Sequence, residues 1–122
     1  MAGAVPTKLA QVAVTVADVE RAKAFYRDVL GLPHLFDAPP GLSFFQCGET
    51  RLMLSRPEGA GADGNSILYY GVEDVSAAYK AMRDKGAAFE EAPRVVAEVE
   101  GKPIHLAMCR DSEGNLLGLI SG

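Results

Sequence analysis

The residues that could do chemistry in this chain are few and widely spaced. Its histidines are His34 and His105, and its cysteines are Cys47 and Cys109. No HExxH motif and no serine–histidine–aspartate arrangement can be read from this set. We expect His34 to lie at the surface after a helix. We expect His105 to be a structural, hydrogen-bonded residue of a strand, with a functional role as the alternative.

The two cysteines do not form a disulfide framework. Cys47 ends the apolar run 43–47, and Cys109 ends the run 104–109. Because such apolar, strand-like surroundings are typical of buried thiols, we expect two buried free cysteines in a reducing compartment. The cytoplasm is therefore the expected location.

Length and charge narrow the class of protein. The 122 residues include 48% hydrophobic and 23% charged side chains, and the net charge is −4. We expect one globular domain with no attraction to nucleic acid or to anionic lipid. No apolar run approaches the roughly 20 residues of a membrane span, and the first residues do not read as a signal peptide. No membrane partner is expected.

The chain contains an internal repeat. Residues 11–28 align with residues 67–84, so that one strand and one helix fall on their counterparts. In each copy an apolar strand is followed by an aspartate at a helix N-cap position, and the helix ends at a glycine. The identical pairs are Val16 with Val72, Asp18 with Asp74, Val19 with Val75, Ala22 with Ala78, Arg27 with Arg83 and Asp28 with Asp84.

Three short strands follow each helix. The polar, Gly-rich segment 57–66 reads as a linker between module one, about 8–56, and module two, about 67–121, within a single domain, 1–122. The predicted fold class is α+β, with two tandem βαβββ modules that form a curved, mixed half-barrel sheet around a cup. The predicted strands are about 9–16, 35–38, 42–47, 51–55, 67–72, 88–91 or a little later, 103–110 and 115–121.

Three motifs resemble a known family. They are residues 11–32 (QVAVTVADVERAKAFYRDVLGL), 72–79 (VEDVSAAY) and 110–117 (RDSEGNLL). In this order they resemble the opening strand and helix, the second helix start and the closing hairpin of the vicinal oxygen chelate superfamily, which includes glyoxalases, bleomycin-resistance proteins and extradiol dioxygenases. The resemblance covers nearly the whole chain, and it implies this fold and a homodimer.

The resemblance also implies where a metal ion would be held. Superfamily enzymes bind a divalent ion through His or Gln on the first strand, Glu on the fourth, His on the fifth and Glu on the eighth. The matching residues here are Gln11, Met53, Ile67 and Gly118. Gln11 fits this pattern, whereas the other three do not. Because a divalent cation requires several donors, we expect no catalytic metal and no cofactor.

The alternation of side chains along the strands predicts the lining of the cup. Most of it is apolar, with a few polar groups that could orient a ligand. Arg51, near a strand end, could meet an anionic substituent. Gly118 is expected to leave space where the resembling enzymes have a glutamate. The predicted ligand-binding residues are Gln11, Phe44, Gln46, Arg51, Met53, Ile67, Tyr69, Leu106, Met108 and Gly118.

Two functions follow from these observations, and a purely structural role, in which apolar side chains fill the cup and nothing binds, stays open beside them. The first is a small-molecule-binding protein of the bleomycin-resistance type, which takes an apolar or aromatic ligand without a metal. The alternative is a glyoxalase-like lyase, isomerase or dioxygenase with a relocated or metal-free active site. Its candidate acid–base groups are Glu49, Glu58 and His105, and no catalytic residue is assigned.

Overall fold

The computed structural model describes residue 4 and residues 6–57 and 64–121. The chain divides into two compact units, Met1–Gly64 and Asn65–Gly122. The boundary falls inside the segment that the sequence predicts to be a linker, of which residues 58–63 lie outside the described part. No helix in the described residues combines the length and the apolar character needed to cross a membrane.

The first unit consists of a four-stranded sheet and one helical layer. Its strands are β1 (Gln11–Thr15), β2 (His34–Ala38), β3 (Leu42–Cys47) and β4 (Thr50–Ser55), and its helix is α1 (Val19–Ala24). The strand order is β1-β4-β3-β2. β1 and β4 are parallel, and the other neighbouring strands are antiparallel.

The second unit repeats this arrangement. It contains β5 (Leu68–Gly71), α2 (Val75–Asp84), β6 (Ala88–Val99), β7 (Lys102–Arg110) and β8 (Leu116–Ser121). The strand order is β5-β8-β7-β6, with β5 parallel to β8. The predicted α+β class and the tandem βαβββ modules are confirmed.

Both helices begin where the sequence predicts. The Asp18 carboxylate accepts a hydrogen bond of 3.0 Å from the Arg21 amide, and the Asp74 carboxylate accepts one of 3.1 Å from the Ala77 amide. Each cap satisfies an amide that has no partner within the helix. The duplicated aspartates therefore fix the direction in which each chain segment leaves its first strand.

Each helix packs on one face of its own sheet. In the first unit Ala22 and Tyr26 are buried with Phe45, Leu52 and Leu54, and the rings of Tyr26 and Phe45 lie 6.2 Å apart. In the second unit Tyr79 of α2 meets Phe89 of β6 edge to face at 4.6 Å. Apolar burial on this side of each sheet supplies the main driving force for folding.

The first helix does not continue as the α-helix that its apolar spacing predicts. From Phe25 to Val29 it is π-helical, and the Leu30 amide donates to the Phe25 carbonyl at 2.9 Å. Adjacent residues of an α-helix point about 100° apart, so one stripe does not easily bury two of them. The wider π turn accommodates both Phe25 and Tyr26 in the core, with their rings 5.4 Å apart.

β6 is much longer than the predicted strand at 88–91. It reaches Val99, and the turn at Glu100 and Gly101, with φ values of 52° and 79°, leads into β7. Its pairing with β7 shifts register at three places, and Pro93 lies within it. These irregularities break the period-two pattern by which a strand is recognised. Its exposed apolar residues are Val95, Val96 and Val99.

A polar cluster joins the helix of the first unit to β2 and β3. The Asp37 carboxylate accepts hydrogen bonds of 2.8 Å from Lys23 Nζ and from the buried Ser43 hydroxyl, and His34 Nε2 lies 2.8 Å away. The hydrogen bond from Lys23, followed by those from His34 and Ser43, holds the pKa of Asp37 well below its usual range. His34 lies at the surface as expected, although only part of its side chain is exposed because its ring packs edge to face against Phe45.

The two free cysteines differ in burial. Cys109 is fully buried, and burial raises the pKa of its thiol to about 12, with a smaller contribution from Asp111. Cys47 is only half-buried, and burial raises its pKa as well. The expectation of two buried thiols is correct for Cys109 and wrong for Cys47, which lies at the end of its strand.

Replacing Asp37 with alanine should destabilise the protein in a pH-dependent way. We expect Asp37→Ala to lower the free energy of unfolding by about 1 kcal/mol at neutral pH, because Ser43 loses its acceptor and Lys23 loses a screened ion pair. The folded-state pKa of Asp37 is depressed, so this stabilisation is present above the unfolded pKa of about 4 and is lost as the pH falls below it. Urea denaturation at neutral and acidic pH measures the difference, with Glu49→Ala in an exposed turn as the control. A difference that grows on acidification would contradict this assignment.

Alkylation should distinguish the two thiols. In the native protein we expect iodoacetamide to modify Cys47 well before Cys109, because the thiolate is the reactive form and Cys109 is both buried and protonated. In urea the two rates should converge. Peptide mass spectrometry over a time course measures both sites, and equal native rates would show that the burial of Cys109 is wrongly described.

Candidate functional site

Each sheet has one face that the helix of its own unit does not cover. We call it the helix-free face of that unit. The strand register assigns residues to it, because paired residues on neighbouring strands share a face. In the first unit Gln11, Arg51 and Gln46 lie in register, as do Phe44 and Met53. Five of the predicted ligand-binding residues therefore share this face.

Arg51 and Gln11 form the polar centre of the helix-free face of the first unit. Arg51 Nε donates a hydrogen bond of 2.8 Å to Gln11 Oε1. The Gln11 amide nitrogen in turn lies 3.9 Å from the sulfur of Met53. The Gln11 amide oxygen is therefore already engaged by a cationic group. Gln46 is less available than predicted, because its side-chain amide donates to the carbonyl of Gly48 in the adjoining turn.

Two aromatic side chains lie on this face between Arg51 and the edge of the sheet at β2. The guanidinium carbon of Arg51 lies 5.5 Å from the centre of the Phe44 ring, which is a cation–π distance. Phe44 also stacks with Phe36 of β2, with centres 4.6 Å apart and planes inclined by 21°. Phe44 is buried, whereas Phe36 is 46% exposed. Phe36 is not among the ligand-binding residues predicted from the sequence, although the alternation of side chains along β2 could have indicated it.

The helix-free face of the second unit is centred on Tyr69, Gly118 and Met108, which lie in one register line across β5, β8 and β7. Leu106, two residues before Met108 in β7, lies on the same face. Ile67 precedes β5, which begins at Leu68 rather than at 67. Ile67 is exposed, and no strand pairing fixes its direction.

The expectation that Gly118 leaves open space was wrong. A β-carbon placed at Gly118 would lie 2.6 Å from Cδ2 of Tyr69 and 3.2 Å from the sulfur of Met108. The Tyr69 ring therefore lies across the glycine and occupies the position of a side chain. An aromatic ring on the neighbouring strand compensates for a glycine in this way elsewhere in β-sheets.

The sequence analysis also missed a carboxylate on this face. Glu91 is in register with Met108, and Arg94 is in register with Leu106. The two charged groups form an ion pair, with Arg94 Nη2 2.7 Å from Glu91 Oε1. The register shifts of β6 hid this placement, because simple alternation does not hold there.

The other candidate acid–base groups do not join either face. Glu49 is exposed in the turn between β3 and β4, and Glu58 lies outside the described residues. His105 is in register with Ser121 and Val95, on the face opposite to Leu106 and Met108. This is the orientation that the sequence predicts for His105.

The model of the Glyoxalase/Bleomycin resistance protein/Dioxygenase superfamily matches residues 8–119. The chain belongs to this superfamily. It is 30% identical over 124 residues to the uncharacterized protein YraH of Bacillus subtilis, a match that covers 90% of this chain and 94% of YraH.

Two solved structures share the fold of this superfamily member. One is lactoylglutathione lyase from Agrobacterium tumefaciens, with a TM-score of 0.77 and 24% identity, covering 97% of this chain and 96% of the lyase. The other is TnmS3, an antibiotic binding protein from Streptomyces sp. CB03234, with a TM-score of 0.80 and 24% identity, covering 95% of this chain and 96% of TnmS3. At these identities the likeness establishes the fold alone.

The side chains of this superfamily member do not fit a divalent metal at the positions that the resemblance implies. Gln11 uses its amide oxygen for Arg51, whose positive charge would repel a second cation. Met53 offers a soft thioether, and Ile67 and Gly118 offer no side-chain donor. Among the residues that the structure describes, no group of three or more His, Cys, Asp or Glu side chains is placed so that it could hold a metal ion.

A double-mutant cycle tests the packing of Tyr69 on Gly118. We expect Gly118→Ala to lower the free energy of unfolding by about 1 kcal/mol, because the new methyl group collides with the ring. In a Tyr69→Ala background the same change should raise it by about 0.5 kcal/mol, because alanine restricts the unfolded chain more than glycine does. Urea denaturation of the four proteins gives the coupling energy, and a value near zero would contradict the contact.

Proposed function

We propose that this superfamily member is a small-molecule-binding protein that takes an apolar or aromatic ligand without a catalytic metal. One observation carries the proposal: the stacked rings of Phe36 and Phe44 lie on the same helix-free face as the hydrogen bond between Arg51 and Gln11. The rings offer a surface on which a flat molecule can stack. The one side-chain oxygen that would suit a metal, that of Gln11, already accepts a hydrogen bond from Arg51.

The exposed Phe36 is the expected contact for such a ligand. A pair of stacked aromatic rings contributes about 0.5 to 1.5 kcal/mol beyond the burial of its area. The stacked Phe44 ring restricts the exposed Phe36 side chain, which would reduce the side-chain entropy lost on binding. Polar groups nearby, above all Arg51, would orient the ligand.

The likeness to TnmS3, whose printed description is an antibiotic binding protein, supports a binding role. The likeness to a lactoylglutathione lyase keeps a second function open, namely a glyoxalase-like lyase, isomerase or dioxygenase with a relocated or metal-free site. Glu91 is the observation that favours this alternative, because its carboxylate lies on a helix-free face. Its carboxylate is engaged in the ion pair with Arg94, and this pair would have to open before Glu91 could accept a proton from a substrate.

The cup formed by both modules, the homodimer and the cytoplasmic location stay predictions. They rest on the superfamily resemblance and on the composition of the chain. Sedimentation of the purified protein tests the dimer, and it does so independently of the ligand.

A neutral aromatic probe tests the binding function. We expect N-phenylnaphthylamine to bind with an increase in its fluorescence and to raise the melting temperature, because a ligand of the native state stabilises it. Phe36→Ala should weaken binding roughly fivefold or more, in keeping with the loss of one stacking contact. Val95→Ala, which removes an equally exposed apolar side chain from the other face of the second sheet, should leave it unchanged. No binding by the wild type, or equal losses in both variants, would overturn the proposal.

Metal removal provides the complementary measurement. Dialysis against EDTA should leave the melting temperature and the probe affinity unchanged, and elemental analysis should find no stoichiometric divalent metal. A full equivalent of metal that is lost in Gln11→Ala would contradict the metal-free proposal. Turnover of the methylglyoxal–glutathione hemithioacetal with added Ni²⁺ or Zn²⁺ would favour the lyase alternative, and complete inactivity would remove it.

A further inference from the structure

We propose that the ligand of the first unit carries an anionic group beside its aromatic part, and that Arg51 binds this group while Gln11 holds Arg51 in position. This inference rests on the proposed binding function and narrows it to aromatic acids, such as sulfonates and carboxylates. It concerns the helix-free face of the first unit alone.

Three other arginines of the described chain pair with carboxylates, whereas Arg51 has only neutral partners. Arg83 of α2 also has only neutral partners, the hydroxyl and the ring of Tyr79, but it does not lie on a helix-free face. Arg27 pairs with Asp28 at 2.9 Å, and Arg94 pairs with Glu91 at 2.7 Å. Arg110 pairs with Glu90 at 2.9 Å. Among the described residues of the first unit, by contrast, the partners of Arg51 are the Gln11 amide oxygen and the Phe44 ring. Its positive charge is therefore not neutralised by a carboxylate of that unit.

The two neutral partners fix the orientation of the guanidinium group. The hydrogen bond to Gln11 uses the Nε–H, and the guanidinium carbon lies 5.5 Å from the centre of the Phe44 ring. The terminal Nη1 and Nη2 groups have no acceptor among the described residues of the first unit. Arginine presents these N–H bonds as a planar fork that matches the oxygens of a carboxylate or sulfonate. Because the fork is held in place beforehand, less side-chain entropy is lost when an anion binds.

The aromatic part of the ligand has a surface next to this fork. Phe44 of β3 lies at a cation–π distance from Arg51 of β4 and stacks with Phe36 of β2, and Phe36 is the more exposed of the two rings. A flat molecule that lies against Phe36 therefore brings a substituent near Arg51. Gln11 contacts Arg51 rather than the predicted ligand group, so we describe it as a positioning residue.

Two probes with the same aromatic skeleton separate charge recognition from apolar binding. Anilinonaphthalene sulfonate carries a sulfonate that N-phenylnaphthylamine lacks. We expect the wild type to prefer the sulfonate by roughly tenfold, as is typical of one charge-assisted hydrogen-bonded pair. Arg51→Met should abolish this preference and leave the affinity for the neutral probe within about twofold. Gln11→Leu should reduce the preference only in part, and Arg51→Lys should restore part of what methionine removes. Arg83→Met is the matched control and should change neither affinity, because Arg83 also has neutral partners but lies on α2, away from both helix-free faces.

The outcomes distinguish this inference from the function on which it rests. If both probes bind equally and Arg51→Met affects them alike, the anion inference is wrong and the binding function stands. If neither probe binds the wild type, the binding function fails as well. Displacement of the sulfonate by naphthoate but not by naphthamide would extend the result to carboxylates, and equal displacement would contradict it. Melting temperatures of all variants establish that the changes are not caused by unfolding.

Discussion

The architecture of each unit depends on a simple constraint: a pleated sheet has two faces, and each sheet here has a single helical layer to cover one of them. Asp18 and Asp74 set the start of the two helices, and Tyr26 packs on Phe45 to hold the first helix against its sheet. Most of the apolar burial then lies on the helical side. The side chains on the opposite face are therefore less restricted by folding, and their identities can serve binding.

The pair of Arg51 and Gln11 suggests how a fold associated with metal enzymes can serve another purpose. The superfamily resemblance assigns Gln11 to a position that faces a bound ion in related enzymes. In this chain the positive charge next to Gln11 belongs to the protein itself, as the guanidinium of Arg51. A covalently attached cation attracts anionic groups but has no vacant coordination site for chelating vicinal oxygens. This arrangement is the basis of the proposed binding function.

Much of the fold could be predicted from the sequence, because the internal repeat, the N-cap aspartates and the glycine stops are local signals. The bounds of β3 were predicted correctly, as was the orientation of His105. The π-helical turn, the length of β6 and the site at Asp37 could not be predicted. They arise from the burial of adjacent aromatic residues, from register shifts and from contacts between distant segments. For the same reason the alternation rule placed Gly118 correctly but could not show that the Tyr69 ring fills the space beside it.

The irregular pairing of β6 affects how readily strands of other protein molecules could pair with the edge of this sheet. β6 is an edge strand of its sheet. A straight edge strand rich in exposed valine could pair with strands of neighbouring chains and start aggregation. Pro93 lacks an amide hydrogen at that border, and the register shifts disturb the even spacing that an incoming strand would need. The features that made β6 hard to recognise from the sequence thus also disfavour the pairing of a foreign strand at this edge.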